Sequence, residues 1–569
     1  MFAMVLHAVC AVLCATVAAA NFGPDYTICN LNDFLQQAKQ HHGSKRPDLP
    51  DQWSVRVEAN ILDGNYSMDM LEYYDYIGNR ASVIYWMENV KTKMIFLYNT
   101  NELIIVQYDN EDSLPRCHVN DLAKTSDNTI FGITRYANGT ERILPPHQAL
   151  RFGGDAPAVP HLQTKTEDGI RVDSWKSCSY LPDRDATLLT EQQFSASTGW
   201  ISASSVVVPV KVTEKGAVHV NSTYTYHLNN EYIFTDFQTT IPVDAFTPPS
   251  DVYCLDRVST LSLSVPNSYS VSSEIVMPQR HFVQWRQFSY DDDLKVMRLY
   301  YTPDVTQPSP YGHNQLMYVR DFNTAWTYTV DTVQGNCTIE SMTNQYNEIY
   351  DQPESNLFLK NAFTYIGQNV SRGIRCNVFE VVLPNLVRPH TVTELYVTAR
   401  GWEESAGSSF MSDTPVRMEV TNLKNRNKTI YNFYDYNRDQ HDIWQTDLSA
   451  CFDPSQIYDF IIYFKGNHVA EVLADPGTFS QNFVMAIYKH GNMSPMQISN
   501  VQIIPTQSSV SGKFTYTYLE ESPFMRRNMP FMTVDESQGL LFRDIDANRF
   551  VIPLGQNKTL VAFDLIRLS

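Results

Sequence analysis

Basic residues are the scarce class in this 569-residue chain: 43 lysines and arginines face 62 aspartates and glutamates, for a formal net charge of -19. That balance argues against nucleic acid as a partner, because phosphate backbones are neutralised by clustered lysine and arginine. Long apolar runs are scarce too. Beyond the first twenty residues no segment is apolar enough to span a bilayer, so no transmembrane anchor is expected. Local signatures of chemistry are missing: there is no HExxH, GxSxG, GxGxxG or P-loop, and no CxxC in the mature chain. No catalytic residue, cofactor or metal is assigned, and a non-enzymatic role is expected. A hydrolase whose triad is assembled only by folding is the exception that motif absence leaves standing.

What is present points to export. The opening MFAMVLHAVCAVLCATVAAA has no charged side chain and ends in small residues, as a signal peptide cleaved before Asn21 would. Asn-x-Ser/Thr sequons at Asn65, Asn138, Asn221, Asn336, Asn369, Asn427 and Asn557 are candidate glycosylation sites. An eighth, at Asn492, is weakened by Pro495. The expected location is extracellular.

The stretch "EYYDYIGNRASVIYW" at residues 72–86 is two aromatic runs about a Gly-Asn turn. Around it Trp53, Val55, Val57, Ala59 and Ile61 alternate with Ser54, Arg56, Glu58 and Asn60, the two-residue period of a strand with one dry face. Runs at 67–76, 81–88, 93–98 and 103–108 follow at hairpin spacing, with Asp, Gly and Asn between them, which predicts an antiparallel meander. Helical patterns are few. The clearest is "LNDFLQQAKQ", with Asn32 or Asp33 as its cap.

Sliding the chain by 216 residues lays "WSVRVEANILDGNYSMDMLEYYDYIGNRASVIY" on "YSVSSEIVMPQRHFVQWRQFSYDDDLKVMRLYY" without a gap, matching Ser54, Val55, Glu58, Tyr74, Asp75 and Tyr85 to identical residues. The seven cysteines beyond residue 20 echo this. Their separations of 88, 61 and 76 residues are followed by 83, 39 and 75, as if a three-cysteine module had been copied and a seventh cysteine opened a further unit. Thiols in an exported chain normally pair. Repeat symmetry makes Cys117 with Cys178, and Cys337 with Cys376, the preferred bridges; Cys29, Cys254 and Cys451 leave an odd thiol. From Cys451 the texture changes, and "YDFIIYFKG", "NFVMAIYKHG", "MQISNVQIIP" and "GKFTYTYLEE" read as four short strands. Two acidic stretches, "DYNRDQHD" and "DIDANR", imitate calcium loops but lack the turn glycine and closing carboxylate, and read as solvated turns.

Tandem meanders with that hairpin block and cysteine order resemble secreted invertebrate LolA-like-domain-containing proteins. The resemblance spans most of the mature chain and rests on no catalytic signature. It implies a mainly β, α+β fold: a signal peptide at 1–20, LolA-like half-barrels at 21–250 and 251–448 with few covering helices, and a small α+β or β domain at 449–569. The bacterial carrier for which that fold is named takes acyl chains into an apolar hollow. The resemblance therefore implies a binding or carrier protein sheltering a lipid or other apolar small molecule on two concave faces. Candidate lining residues are Val55, Val57, Ile61, Met68, Met70 and Tyr74 in the first copy, and Val271, Ile275, Met277, Val283 and Trp285 in the second. For each of these, an ordinary packed core is the competing reading. The alternative function is a structural or adhesive glycoprotein whose outer faces meet an extracellular protein partner.

Overall fold

Alternation of apolar and polar side chains lays the chain down as strands almost from its start. The computed structural model describes residues 22–568, except 41–45, 88–89, 109–114, 125–130, 137–139, 147, 150–157, 183–184, 199, 204, 222–223, 251, 255, 265, 267, 305–308, 343–361, 384–390, 403–412, 424, 439–442, 523–528 and 556–557. The expected signal peptide, Asn138 and Asn557 lie outside the described residues. Asn65, Asn336 and Asn427 are exposed, and Asn369 is half-buried. The described chain divides into two compact units, residues 1–260 with 365–370, and residues 261–364 with 371–569.

A first meander runs through β1 (Gln52–Ile61), β2 (Tyr66–Asp75), β3 (Arg80–Met87), β4 (Val90–Leu97), β5 (Glu102–Tyr108) and β6 (Arg116–Asp121). A small hairpin follows, β7 (Ile133–Arg135) and β8 (Glu141–Ile143). The chain then returns through β9 (Ala158–Glu167), β10 (Ile170–Leu181), β11 (Ala186–Ser195), β12 (Pro209–Asn221) and β13 (Tyr224–Gln238). Apart from the hairpin these form one eleven-stranded sheet, in the order β6-β5-β4-β3-β2-β1-β13-β12-β11-β10-β9.

The plan then recurs. Strands β14 (Ser268–Met277), β15 (Phe282–Asp291), β16 (Val296–Tyr301), β17 (Leu316–Asp321), β18 (Trp326–Asp331) and β19 (Cys337–Ser341) form a second meander. They are followed by β20 (Thr364–Ser371), β21 (Ile374–Leu383), β22 (Thr391–Thr398), β23 (Pro415–Asn422) and β24 (Lys428–Asn437). Their order, β19-β18-β17-β16-β15-β14-β24-β23-β22-β21-β20, is the first sheet's order strand for strand.

The 216-residue offset holds at the level of single residues. It carries β1 onto β14 and β2 onto β15 with identical bounds, and the intervening turn Leu62–Gly64 onto Pro278–Arg280. It carries the left-handed residues Asn65 and Asn79 onto His281 and Lys295. Even the bulge after Ser54 recurs after Ser270. Such positive-φ residues and bulges are costly or register-setting features, so their coincidence fixes which side chains correspond.

Each sheet is strapped on its outer face by the chain leaving its last strand. In the first, Ala245, Phe246 and Val252 cover Ile95, Ile104 and Val106. Lys93 Nζ donates to the carbonyls of Thr247 at 2.8 Å and Asp244 at 3.1 Å, and Ser82 Oγ to that of Ala245 at 2.8 Å. In the second, Ile443, Trp444, Leu448 and Phe452 pack with Val296, Val319 and Tyr328, and Arg298 donates to Thr446 Oγ1 at 3.0 Å.

The last residues build a five-stranded sheet, β26-β27-β25-β29-β28, from β25 (Ile457–Lys465), β26 (Ile498–Pro505), β27 (Val510–Thr517), β28 (Val551–Gly555) and β29 (Lys558–Arg567). The run "NFVMAIYKHG", expected as a strand, instead ends a helix, Pro476–Gly491. Phe479, Phe483, Ala486 and Ile487 recur at helical spacing and are buried, Asp475 caps the first turn, and Asn492 closes the last in the left-handed region. Periodicity over ten residues missed the upstream cap and proline that decide the matter. The other expected helix forms over Leu31–Gln40, but Asn30, whose side chain accepts from Asn32 N, stands at its start.

The bridges differ from the symmetric expectation. They join Cys29 to Cys178, Cys117 to Cys254 and Cys337 to Cys451, leaving Cys376 free and buried. The cause lies in register. Equivalent bonds, Ala196 N to the Arg171 carbonyl and Ala399 N to the Arg375 carbonyl, place Cys376 at the position of Val172, not that of Cys178. What repeats is another pair: Cys117 and Cys337, each on the outermost strand of its meander, are tied to a cysteine at the end of the strap, Cys254 just past Val252 and Cys451 just before Phe452. Loops closed over 137, 114 and 149 residues each stabilise by about 5 kcal/mol in the chain-entropy account.

Burial pushes the Cys376 thiol up to about 11, so it is nearly all protonated at neutral pH and shielded from reagent. Iodoacetamide is therefore expected to leave the native protein unlabelled and to modify Cys376 alone once denaturant is added without reductant. Non-reducing peptide maps should return the three bridges above; a Cys376 linked to any other cysteine contradicts them.

Candidate apolar ligand site

Strands β1 and β2 pair so that Trp53 faces Tyr74, Val57 faces Met70 and Ala59 faces Met68, all on the inner face, opposite the strap. Across β13 that face continues with Tyr232 and Phe234, and across β3 to β5 with Ala81, Val83, Phe96 and Leu103. Val55, Val57 and Tyr74 are at most 1% exposed. Among the described residues they are covered at the centre of the sheet by side chains that follow β6. Phe131, Ile143, Leu144 and Ala149 belong to the same packed cluster. Tyr74 stacks on Trp53 at 4.9 Å between centroids and donates its hydroxyl to the Leu144 carbonyl. Burial holds its phenol well above the usual range. Phe131 sits edge-on to Phe96 at 5.3 Å.

Toward the turn between β1 and β2 the packing loosens. Ile61, Tyr66, Met68 and Met70 are half-buried, the last two packed only at the margin of the cluster. The structure thus separates the six first-copy candidates into a filled centre (Val55, Val57, Tyr74) and a partly open rim (Ile61, Met68, Met70).

In the second sheet Val271 and Ile275 are buried on the inner face and Met277 is half-buried there. Val283 and Trp285 are not with them. They pair with Val276 and Glu274, which places both on the outer face, 41% and 65% exposed. The gap-free register puts Gln284 and Arg286 where the first sheet has Met68 and Met70, so a choice of residues by apolarity alone slipped by one and crossed the sheet. Gln284 donates to the Thr302 carbonyl at 2.6 Å and accepts from Arg286 Nε at 3.0 Å. The second sheet's rim is therefore polar.

Sequence reasoning passed over the cover itself, although Phe131, Ile133 and Ile143 spaced about a Gly- and Asn-containing run carry a hairpin signal. Among the described residues no group of three or more His, Cys, Asp or Glu is placed to hold a metal ion. "DIDANR" is the end of the helix Val534–Asp546. Asp544 there is bonded by Arg549 and by His490 Nδ1 at 2.8 Å, and these hold its carboxyl down to about 2.

The comparisons bear on the second sheet. Residues 249–452 match the family model described as "Metazoan 2nd LolA-like domain". No curated protein matches the chain. Among solved structures, an uncharacterised conserved protein from Thermus thermophilus is 10% identical, covering 39% of this chain and 98% of its own, at a TM-score of 0.19. PNGF-II is 7% identical, covering 68% and 66%, at 0.18. Kievitone hydratase from Nectria haematococca is 8% identical, covering 68% and 87%, at 0.12.

Two outcomes follow from this geometry. Phe131→Ala is expected to cost about 3–5 kcal/mol, as for other buried phenylalanines, read as a lower urea midpoint at unchanged slope. The Asp544 carboxyl is depressed on folding, so its contribution is full above the ordinary value of 3.8 and is lost as pH falls toward about 2. Asp544→Asn should lower the thermal midpoint at pH 6 and flatten its decline between pH 5 and pH 2.

Proposed function

We propose that this chain is a secreted, non-enzymatic binding or carrier protein for an apolar ligand with acyl-chain character. The observation that carries the reading is the rim of the first sheet. Ile61, Tyr66, Met68 and Met70 present a half-buried apolar edge that leads into the packed apolar cluster of the centre, where Glu72, between Met70 and Tyr74 on β2, is the buried charged exception on that face of the strand. Methionine and aromatic side chains adapt to irregular ligands without fixed polar demands. The family match at residues 249–452 supports a carrier-type fold for the second sheet. The shared strand order extends that proposal to residues 21–250. Three disulfides, and the absence among the described residues of any helix long and apolar enough to cross a membrane, accord with an extracellular setting.

On this reading the ligand lodges at the first sheet's rim, and the cover bearing Phe131 and Leu144 yields to longer chains. The second sheet, with Gln284 and Arg286 at its rim, takes no such ligand. The filled centre of the first sheet is what favours the competing reading, a rigid glycosylated spacer that meets protein partners.

Native mass spectrometry of the full chain secreted from a eukaryotic host, with lipid extraction, separates the two. A fatty acid or phospholipid adduct is expected, together with uptake of a fluorescent fatty acid that the Met68→Glu, Met70→Glu double variant abolishes. A ligand-free mass and no uptake would leave the spacer.

A further inference from the structure

The outer face of the second sheet holds a groove of about 230 Å³. A second hollow, near Asn323 and Gln497, encloses only about 30 Å³, space for a water molecule. The groove is a direct product of register. Tyr434, Ser272, Gln287 and Tyr300 stand opposite one another on β24, β14, β15 and β16, forming one row across four strands. Trp285 flanks the row one pair along, and Gln315 closes its far end. Ser272 is the small floor; the three rings are the walls. Ser273 and Arg286 also border the groove, but register assigns both to the inner face, where the Arg286 guanidinium is bonded to Gln284.

The rings are held in place from within the protein. The Arg372 guanidinium lies 4.4 Å from the Tyr434 ring centroid, itself fixed by donating to the carbonyls of Phe433 at 2.8 Å and Val416 at 3.0 Å. Arg298 lies 5.5 Å from the Tyr300 centroid. Trp285 remains 65% and Tyr434 44% exposed, an unusual cost for large rings on a sheet whose other residues of this size are mostly covered.

The first sheet is an internal control. Its corresponding row reads Thr235, Arg56, Leu71 and Ile84, and the place of Trp285 is taken by Asp69. Arg56 rises where Ser272 leaves a floor, and the outward aromatics of this sheet, Tyr73 and Trp86, stand beside the row rather than in it. Strand pairing, bulge and turn are the same in both sheets, so nothing in the fold demands the aromatic groove in the second.

We infer that this groove binds a neutral sugar ring, a pyranose unit of a glycan. Its surface offers aromatic faces for the C–H side of a pyranose, and hydroxyl and amide groups from Ser272, Gln287 and Gln315 that donate and accept to vicinal hydroxyls. None of the six side chains of the row and its flanks carries a charge, which an anionic or cationic ligand would require. The volume suits one ring with its substituents. This site is on the opposite face, and in the other sheet, from the proposed lipid rim, so either reading stands if the other fails.

Saturation-transfer NMR tests it, using the enzymatically deglycosylated full chain against glucose, galactose, mannose, N-acetylglucosamine and the β1-4 dimer of the last. Transfer to ring C–H protons of at least one sugar is expected. Trp285→Ala should weaken it by about tenfold or more, as loss of an aromatic anchor does. Ser272→Arg, which copies the first sheet and so preserves folding, should abolish it with an unchanged thermal midpoint. No transfer to any of these sugars at millimolar concentration, or transfer that both variants leave intact, overturns the assignment.

Discussion

The pleat of the β-strand is the constraint on which the rest of this molecule depends. Side chains alternate between faces with a period of two, so once the pairing register of eleven strands is fixed, every residue is committed to the inside or the outside. Two sheets with one strand order, and one register in which Gln52–Tyr85 lie on Ser268–Tyr301 at an offset of 216 residues, make that commitment comparable position by position. A single slip would exchange Trp53 and Tyr74 for Ser54 and Tyr73 on the inner face and expose the stacked pair at its centre. The bulge after Ser54 and its partner after Ser270 sit where such a slip would begin.

An open sheet of this width has edges, and the covalent staples address them. Strands β6 and β19 are the outermost of their meanders, and each is bonded to the chain that returns across the outer face. Unpaired edges recruit further strands, and anchoring the edge while laying a strap across its neighbours limits that. The strap is polar at its contacts: Lys93 gives its ammonium to two strap carbonyls, and Glu102 pairs with Arg257 at 3.1 Å, both side chains nearly buried. Desolvation draws the Lys93 ammonium down to about 8, so its charge is held there at a cost that the two carbonyls offset only in part. Breaking either partner would leave a buried group unsatisfied, which makes the strap specific in position as well as adhesive.

How much of this was legible in the sequence follows from which features are local. The meander at 52–108 was, because hairpins join neighbours and their turns carry Asp, Gly and Asn. The gap-free offset was, because identities survive at Ser54, beside the bulge, and at Asp75, which holds the following turn. Asp75 accepts from Gly78 N and Arg80, and its equivalent Asp291 from Asp293 N and Leu294 N. Disulfide pairing was not legible, since it depends on how far along β10 or β21 a cysteine falls, and Cys376 stands at the place of Val172 rather than Cys178. The face of Trp285 was available in principle from the same alignment, which sets it over Asp69, an outward position. Choosing by hydrophobicity discarded that information. The cover over Tyr74 was illegible for a different reason: Phe131 and Leu144 reach the sheet from a connection whose own pattern says nothing about where it lies.

The residues that differ between the sheets therefore carry more functional information than those that agree. Where the offset preserves Ser54, Val55, Tyr74 and Asp75, a bulge, a core contact or a turn accompanies the residue. Where it does not, the changes are directional. At the inner rim Met68 and Met70 become Gln284 and Arg286, trading apolar surface for a hydrogen-bonded polar edge. At the outer row Arg56, Leu71, Ile84 and Asp69 become Ser272, Gln287, Tyr300 and Trp285, trading a filled, charged surface for an open aromatic one. Stability alone does not favour the second set, since it exposes a tryptophan and opens a void on a sheet that the first set shows how to fill. The same backbone thus presents an apolar edge inward in one sheet and a ring-walled groove outward in the other, which is the pattern expected when one plan is retained for folding and its two faces are altered for different ligands.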